Sequence, residues 1–412
     1  MSRVSSLVLA GLLASAGFAC RKAEPAAPAP GEAEQKAAEA PAAAPAKEIV
    51  LGQIMPYSGP ASAYGTIGKL HQAYFAKLNK AGGVNGRTIK LISLDDSYSP
   101  PKAVEQVRKL VEQEHVVGVF NAVGTPSNSA IQKYLNDKKV AQLFVSSGAT
   151  KWADPTHFPY TIGFNPSYRI EGKTYAQDLL KKNPKAKVAV LFQNDDFGKD
   201  VLAGFKEGLG DSKAKIVAEA SYEATDPTID SQMVTLKGSK ADTFLNIATP
   251  KFAAQAIRKV ADLKWKPAQY LANVSASVGS VLTPAGLDKS KGIITIIYLK
   301  DTTDKQWDND PAVNEFREFM KTDFPEGKIT DGINIYAYAT AETLVHVLKA
   351  CGDDLSAENL IKQAASLKDY APGLFLTGVK LNTSPTDFET FDQLQLAQFD
   401  GTTWVANNAP SK

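Results

Sequence analysis

Residues 49–68 read IVLGQIMPYSGPASAYGTIG, and this stretch decides the fold. Ile49 to Met55 is a short apolar run, the mark of a strand buried on both faces rather than one. Pro56, Gly59 and Pro60 then stop both helix and sheet. From Gly65 onward, Ile67, Leu70, Tyr74, Phe75 and Leu78 recur at helical spacing. A strand, a polar Gly-bearing loop and a helix start form either an ordinary βα connection or one wall of a ligand cleft, since helix-terminal N–H groups point outward there.

Moving outward, the same alternation repeats. Strands are expected at 88–94, 116–121 and 141–145, with helices near 67–79, 101–113 and 127–136. A second series follows, with strands at 187–192, 215–220, 243–248 and 269–272 and helices near 171–182, 197–209, 229–237 and 252–263. Helices near 311–324, 334–350 and 357–366 precede strands at 374–381 and 393–399. This βαβ alternation predicts parallel sheets covered by helices on both faces. Two such series in 412 residues, too long for one compact domain, predict two lobes with a cleft between them.

Composition narrows the function classes. Hydrophobic residues make up 44% and charged ones 22%, enough for a sizeable core. Lys plus Arg number 46 against 44 Asp plus Glu, a net charge of +2 with no basic face, which argues against a nucleic-acid partner. The four histidines His71, His115, His157 and His346 are isolated, and the two cysteines, Cys20 and Cys351, suggest no framework, so neither a metal site nor a cofactor is expected. Cys351, ahead of Gly352, reads as a buried thiol at a helix end.

The amino end has Arg3, an apolar run from Leu7 to Leu13 and then small residues up to Cys20, an export signal too short to span a membrane. Cys20 resembles the lipid-modified residue of a bacterial lipoprotein signal, although Gly17 stands where Leu is usual and Phe18 is bulky. Ala14-Ser15-Ala16 offers an ordinary cleavage site instead. Residues 21–47 are almost entirely Ala, Pro, Glu and Lys and have nothing bulky to bury, so a disordered tether is expected there.

Two hydroxyl-rich loops carry the chemistry. Gly124-Thr125-Pro126-Ser127-Asn128-Ser129 opens a helix, where Ser127 or Thr125 would cap and leave donors facing outward to hold a carboxylate. Ser146-Ser147-Gly148-Ala149-Thr150 follows the next strand and lets a ligand approach the backbone. Capping alone explains either loop; both together at neighbouring strand ends suggest a shared site. No Gly-x-Ser-x-Gly elbow is present, and no histidine accompanies a candidate serine, so no reaction is assigned. Asp95-Asp96 reads as a strand end capping the next turn rather than as a glycosidase pair.

Taken in order, Ser58-Gly59-Pro60, Ala63-Tyr64-Gly65, Gly82-Gly83-Val84-Asn85-Gly86, Asp95-Asp96, Ser147-Gly148-Ala149-Thr150 and Asp195-Asp196-Phe197-Gly198 resemble the Leu/Ile/Val-binding group of type I periplasmic solute-binding proteins, which feed ABC importers. The resemblance runs from about Glu48 to the end. It implies an α/β fold of two lobes, residues 48–165 with 300–372 and 166–299 with 373–412, joined by crossings near 164–167, 298–301 and 372–374. It also implies a ligand site made of Tyr64, Gly65, Thr125, Ser127, Ser147, Gly148, Ala149, Thr150, Phe197, Thr249 and Asn273. Within that site Thr125 or Ser127, with Gly148 and Thr150, would hold a carboxylate, Tyr64 would form a wall, and Phe197 would pack over the ligand without offering a hydroxyl.

One departure bears on the ligand. Where amino-acid binders of the group place an acid, this chain has Asn273-Val274-Ser275-Ala276-Ser277, with no carboxylate to pair with an ammonium, unless Asp195, Asp196 or Glu171 reaches in. The resemblance therefore implies a non-enzymatic import component for a small aromatic or aliphatic carboxylate. The alternatives are a branched-chain amino-acid binder and, in another class, a sensory module. The implied partners are a small-molecule ligand and the permease subunits, with no nucleic acid, membrane contact only through a lipid on Cys20, a periplasmic location and a monomeric state.

Overall fold

The structure, a computed structural model, describes residues 48–391 and 393–406. The signal segment, Cys20 and the tether lie outside these residues.

The first sheet has the order β2-β1-β3-β4-β5 and is parallel throughout: β1 (Ile49–Met55), β2 (Ile89–Asp95), β3 (Gly118–Phe120), β4 (Ala141–Val145) and β5 (Thr161–Gly163). Its connecting helices are α1 (Gly65–Lys80), α2 (Pro100–Glu112) and α3 (Thr125–Asp137). β1 and β4 are apolar but for Gln53 and Gln142, which are themselves buried, because helices cover both faces of this sheet.

The second sheet has the order β12-β11-β10-β9-β8-β6-β7. Parallel strands β6 (Lys187–Gln193), β7 (Lys215–Tyr222), β8 (Thr243–Ile247), β9 (Ala268–Leu271) and β10 (Ile294–Ile297) are followed by the antiparallel pair β11 (Gln395–Phe399) and β12 (Trp404–Ala406). Helices α4 (Tyr168–Lys182), α5 (Asp196–Leu209), α6 (Asp230–Gly238) and α7 (Pro250–Asp262) connect them, with the single turns α8 (Thr283–Ala285) and α9 (Leu287–Ser290) before β10.

Between β10 and β11 the chain returns to the first sheet. There α11 (Gly332–Cys351) packs on α1, α12 (Ala357–Ala364) packs on β4 and β5, and α10 (Pro311–Thr322) adds Phe316 and Phe319 to the core. α11 is apolar on nearly every side and is buried accordingly. The fold class is thus α/β with two mainly parallel sheets, as the alternation predicts.

Three strands go beyond the sequence reading: β5, β10 and β12 are three or four residues long, too short for periodicity to register, and exist because a neighbouring strand receives them. The expected strand at 374–381 is corrected. Pro372 and Gly373 precede it and Gly378 has a φ of 89°, so only single bridges form, Leu299 with Phe375 and Tyr370 with Leu381. Cys351 ends α11 before Gly352 and is buried.

Candidate functional site

Between the two sheets lies a cavity of about 270 Å³, just under the roughly 300–1,000 Å³ usual for ligand pockets. The carboxyl ends of strands from both sheets open onto it. Of the residues singled out in the sequence, Tyr64, Thr125, Phe197, Thr249 and Asn273 line it.

The other singled-out residues point elsewhere. Gly65 is buried at the start of α1 against Tyr57 and the Pro56 carbonyl. Neither Ser127 nor Thr125 caps α3: its N-cap is Gly124, with φ 98° and no side-chain bond, which corrects the capping expectation. The Ser127 hydroxyl instead donates to Asp96 Oδ2 at 2.6 Å, because Asp96 is wholly buried and needs a donor. Thr125 Oγ1 lies 2.7 Å from Ser147 Oγ.

The Ser147–Thr150 loop is satisfied from within the protein. The Tyr168 phenol, at the start of α4, sits against the Gly148 N–H and the Ser147 hydroxyl, both of which pull its pKa down against the upward push of burial. A Cβ on Gly148 would strike the Tyr168 ring and the Pro166 carbonyl, so glycine there makes room for that ring. The Thr150 N–H and hydroxyl donate to Asp200 Oδ2 of α5 at 2.9 and 3.1 Å. Ala149 is buried.

Sequence reasoning missed the aromatic lining: Tyr98, Tyr168, Tyr298 and Tyr336, with Asn165. They come from four separate segments, and only the chain's crossings bring them together. Tyr98 has φ 57°, a strained value for an aromatic residue, held by Asp96 Oδ1 accepting its N–H at 3.0 Å. Its ring lies where a side chain on Gly124 would be, a second reason for glycine at that turn. Tyr336 donates to Asn165 Oδ1 at 3.0 Å and accepts from Asn121 at 2.9 Å. Among the described residues, the Tyr298 hydroxyl has no hydrogen-bond partner although the residue is 3% exposed, so it is free to bond a guest.

Contacts between the two layers close the cavity. The Tyr64 hydroxyl donates to the Val274 carbonyl at 2.9 Å and Gln193 Nε2 donates to the Tyr98 hydroxyl at 3.3 Å. On one rim, Lys151 pairs with Asp196 at 2.8 Å beside the Thr150–Asp200 contact. On the other rim, Asp331 accepts from Ser277 Oγ at 2.7 Å and Ser280 Oγ at 3.0 Å, and the Gly279 N–H donates to the Thr330 carbonyl at 2.8 Å.

The three acids named as ammonium partners are placed as follows. Asp196 holds Lys151, and Asp195 caps α5 through the Gly198 N–H. Glu171 is buried behind the lining, where its Oε1 accepts the Asn273 N–H and the Tyr175 hydroxyl, each at 2.7 Å. Burial pushes the Glu171 carboxyl up to about 7, against the pull of those two donors. A carboxyl raised above its unfolded value of 4.5 contributes stability that is complete below that value and lost as pH rises through about 7. Half-buried Glu342, raised to about 7 mainly by desolvation, acts in the same direction. Buried His71, lowered to about 3, acts in the opposite one, its contribution being lost as pH falls below 6.5. Glu171→Gln is accordingly expected to flatten part of the fall in melting temperature between about pH 5.5 and pH 8.5, measured by scanning calorimetry on both proteins. An unchanged slope would mean that Glu171 is already ionised at the acid end.

Among the described residues there is no cluster of three or more metal-ligating side chains, and no helix is long and apolar enough to cross a membrane.

Comparison with known proteins gives a consistent picture. The profile of the family described as periplasmic binding protein matches residues 48–403. A relative in Brucella abortus (strain 2308), Leu/Ile/Val-binding protein homolog 7, is 24% identical over 380 residues, covering 89% of this chain and 92% of its own. A branched-chain amino acid ABC transporter structure from Thermus thermophilus with bound valine superposes with a TM-score of 0.79 at 14% identity, covering 89% of this chain and 97% of its own. An ABC transporter solute-binding protein from R. palustris in complex with benzoate gives 0.72 at 19%, covering 87% and 95%.

Proposed function

Because this chain belongs to the periplasmic binding protein family, which serves ABC transporters and consists of substrate-binding proteins rather than enzymes, we propose that it is the solute-binding component of an ABC importer for a small aromatic or aliphatic carboxylate. The family implies an extracytoplasmic location. The observation that carries the ligand reading is the character of the cavity's inner end: phenol hydroxyls of Tyr98, Tyr168 and Tyr298 around the amino end of α3 at Gly124 and Thr125, with no charged side chain in that part of the lining. Hydroxyl donors and a helix amino end suit a carboxylate, and Phe197 and Ile67 suit an apolar body.

In this reading residues 48–165 and 300–372 form one lobe and residue 166–299 with 373 onward form the other. Ligand bridges them, and the closed form is what the permease subunits meet. A lipid on Cys20 would keep a monomeric binding protein at the membrane.

A branched-chain amino acid is the second reading. Glu171, hydrogen-bonded to the N–H of Asn273, favours it, because it brings a carboxylate close to the position where the sequence lacks one. The deciding test is a thermal-shift screen of protein stripped of carried-over ligand by unfolding and refolding. A ligand at 100 times its dissociation constant adds about 2.7 kcal/mol of stability. Shifts with benzoate or aliphatic acids and none with leucine, isoleucine or valine are the expected result; the reverse pattern would reject the carboxylate.

A further inference from the structure

The cavity does not end at the cleft. Its inner end is deeply buried, with Thr125 and Phe197 each 2% exposed and Thr249 5%. The same cavity is also lined by Val274, Val278, Ile297, Leu299, Ile333 and Leu376, a passage of apolar side chains interspersed with the uncharged Asn273, Ser277 and Thr330. Its lining further includes Lys300, Asp301, Gln306, Trp307 and Thr377, of which Gln306 and Thr377 are exposed and mark a mouth to solvent while Lys300 is buried. The mouth is built from the two later chain crossings, pinned together by Lys300, whose Nζ bonds Asp310 at 2.7 Å and the Gly373 carbonyl at 2.8 Å.

Each charge at the mouth already has partners. Lys300 is held by Asp310 and lies over the Trp307 ring, while Asp301 accepts from Thr303 and Thr403. The charges at the mouth are therefore already spoken for, and the polar groups left to anchor a ligand are those around Thr125 and the phenols. A compact acid at the phenols would leave the passage unfilled, and the apolar side chains lining it would gain nothing from binding.

We propose that the ligand is an elongated amphiphile whose polar head sits among Thr125, Tyr98, Tyr168 and Tyr298 and whose unbranched aliphatic chain lies in the passage toward the Gln306–Thr377 mouth. This rests on the reading of the protein as a solute-binding component and narrows its ligand to the aliphatic branch. Because the mouth stays open while the layers are in contact, a chain longer than the passage can run out into solvent, so length is limited by filling and not by a wall.

Isothermal titration of the purified, ligand-stripped protein with straight-chain carboxylates from butanoate to tetradecanoate, each below its micellar concentration, tests this alongside the alkanols of matching length and benzoate. The expected result is an affinity that climbs by about fourfold for each added methylene and then levels off without a cut-off. Val278→Trp, which narrows the passage, should move the plateau to shorter chains. Its folding is checked by circular dichroism, and the wild-type series stands without it. A flat carboxylate series, or benzoate bound more tightly than any of the longer acids, would overturn the elongated ligand while leaving the carboxylate reading intact. Length dependence among the alkanols with no carboxylate binding would support the elongated ligand and overturn the carboxylate head. If no member of either series binds, the elongated ligand is rejected, and the thermal-shift screen then separately judges the amino-acid reading.

Discussion

Gly172→Ala is expected to destabilise the protein by about 3 kcal/mol, at the upper end of the range for overpacking, and to weaken ligand binding as well. Helices α4 and α5 pack closely along their length, and they approach through Gly172, Gly204 and Gly208. A Cβ on Gly172 would overlap the Val201 carbonyl and come within 2.6 Å of the Phe205 nitrogen, and one on Gly204 would overlap the Arg169 carbonyl. The obstacles are main-chain atoms on both sides, which no rotamer change relieves. Alanine's helix propensity returns only up to about 1 kcal/mol. Binding suffers because Tyr168 begins α4 and Phe197 lies at the start of α5, their ring centroids 4.9 Å apart at the cavity wall, so parting the helices moves both. Gly238→Ala is the matched control. It ends α6 with nothing within 4 Å of its would-be Cβ, and should be neutral or slightly stabilising. Chemical denaturation of the two variants checks the contrast, and equal losses would mean that the glycines are not there for the close approach.

Asp331→Ala should weaken ligand binding by about fiftyfold, or roughly 2–3 kcal/mol. The carboxylate accepts from two serines of the opposite layer, Ser277 and Ser280, both on Oδ1, and a hydrogen bond to a charged group contributes a net of about 1.5–3 kcal/mol, less than additively when two share one oxygen. Burial raises the Asp331 pKa while the two serines and the Ile333 N–H pull it down, so the ionised form depends on those donors. The helix-capping bond to the Ile333 N–H lies within the start of α11 and does not cross between the layers. Its loss lowers the melting temperature, whereas loss of the serine bonds lowers the closed fraction and with it the apparent affinity. Calorimetric titration alongside a melting curve separates the two effects. A lower melting temperature with unchanged affinity would leave Asp331 as a cap and nothing more.

How much of this could be read from the sequence depends on range. β1 and β4 announce themselves because a strand covered on both faces is apolar at nearly every position, Gln53 and Gln142 being the buried exceptions, and that is a local property. The helices were legible to within a few residues, since Pro at 100, 250 and 311 fixes their starts. The 374–381 segment misleads because its apolar Leu374, Phe375, Leu376, Val379 and Leu381 serve a turn packed on the core. In the site, the hydroxyl-rich loop at 147–150 was legible as a set of donors, but not what reaches them: Tyr168 is 20 residues away along the chain and Asp200 is 50 away. Tyr98, Tyr298 and Tyr336 carry no local mark at all, because their meeting depends on crossings that spacing does not encode.

Those crossings also set the order in which the protein can come into being. The first sheet is complete in sequence by Gly163, yet its α1 face is covered by α11, which begins at Gly332, and the second sheet is not finished until Trp404–Ala406. A polypeptide emerging from the ribosome therefore carries the first core uncovered until α11 and α12 have been made, and the second sheet open until β11 and β12 have followed.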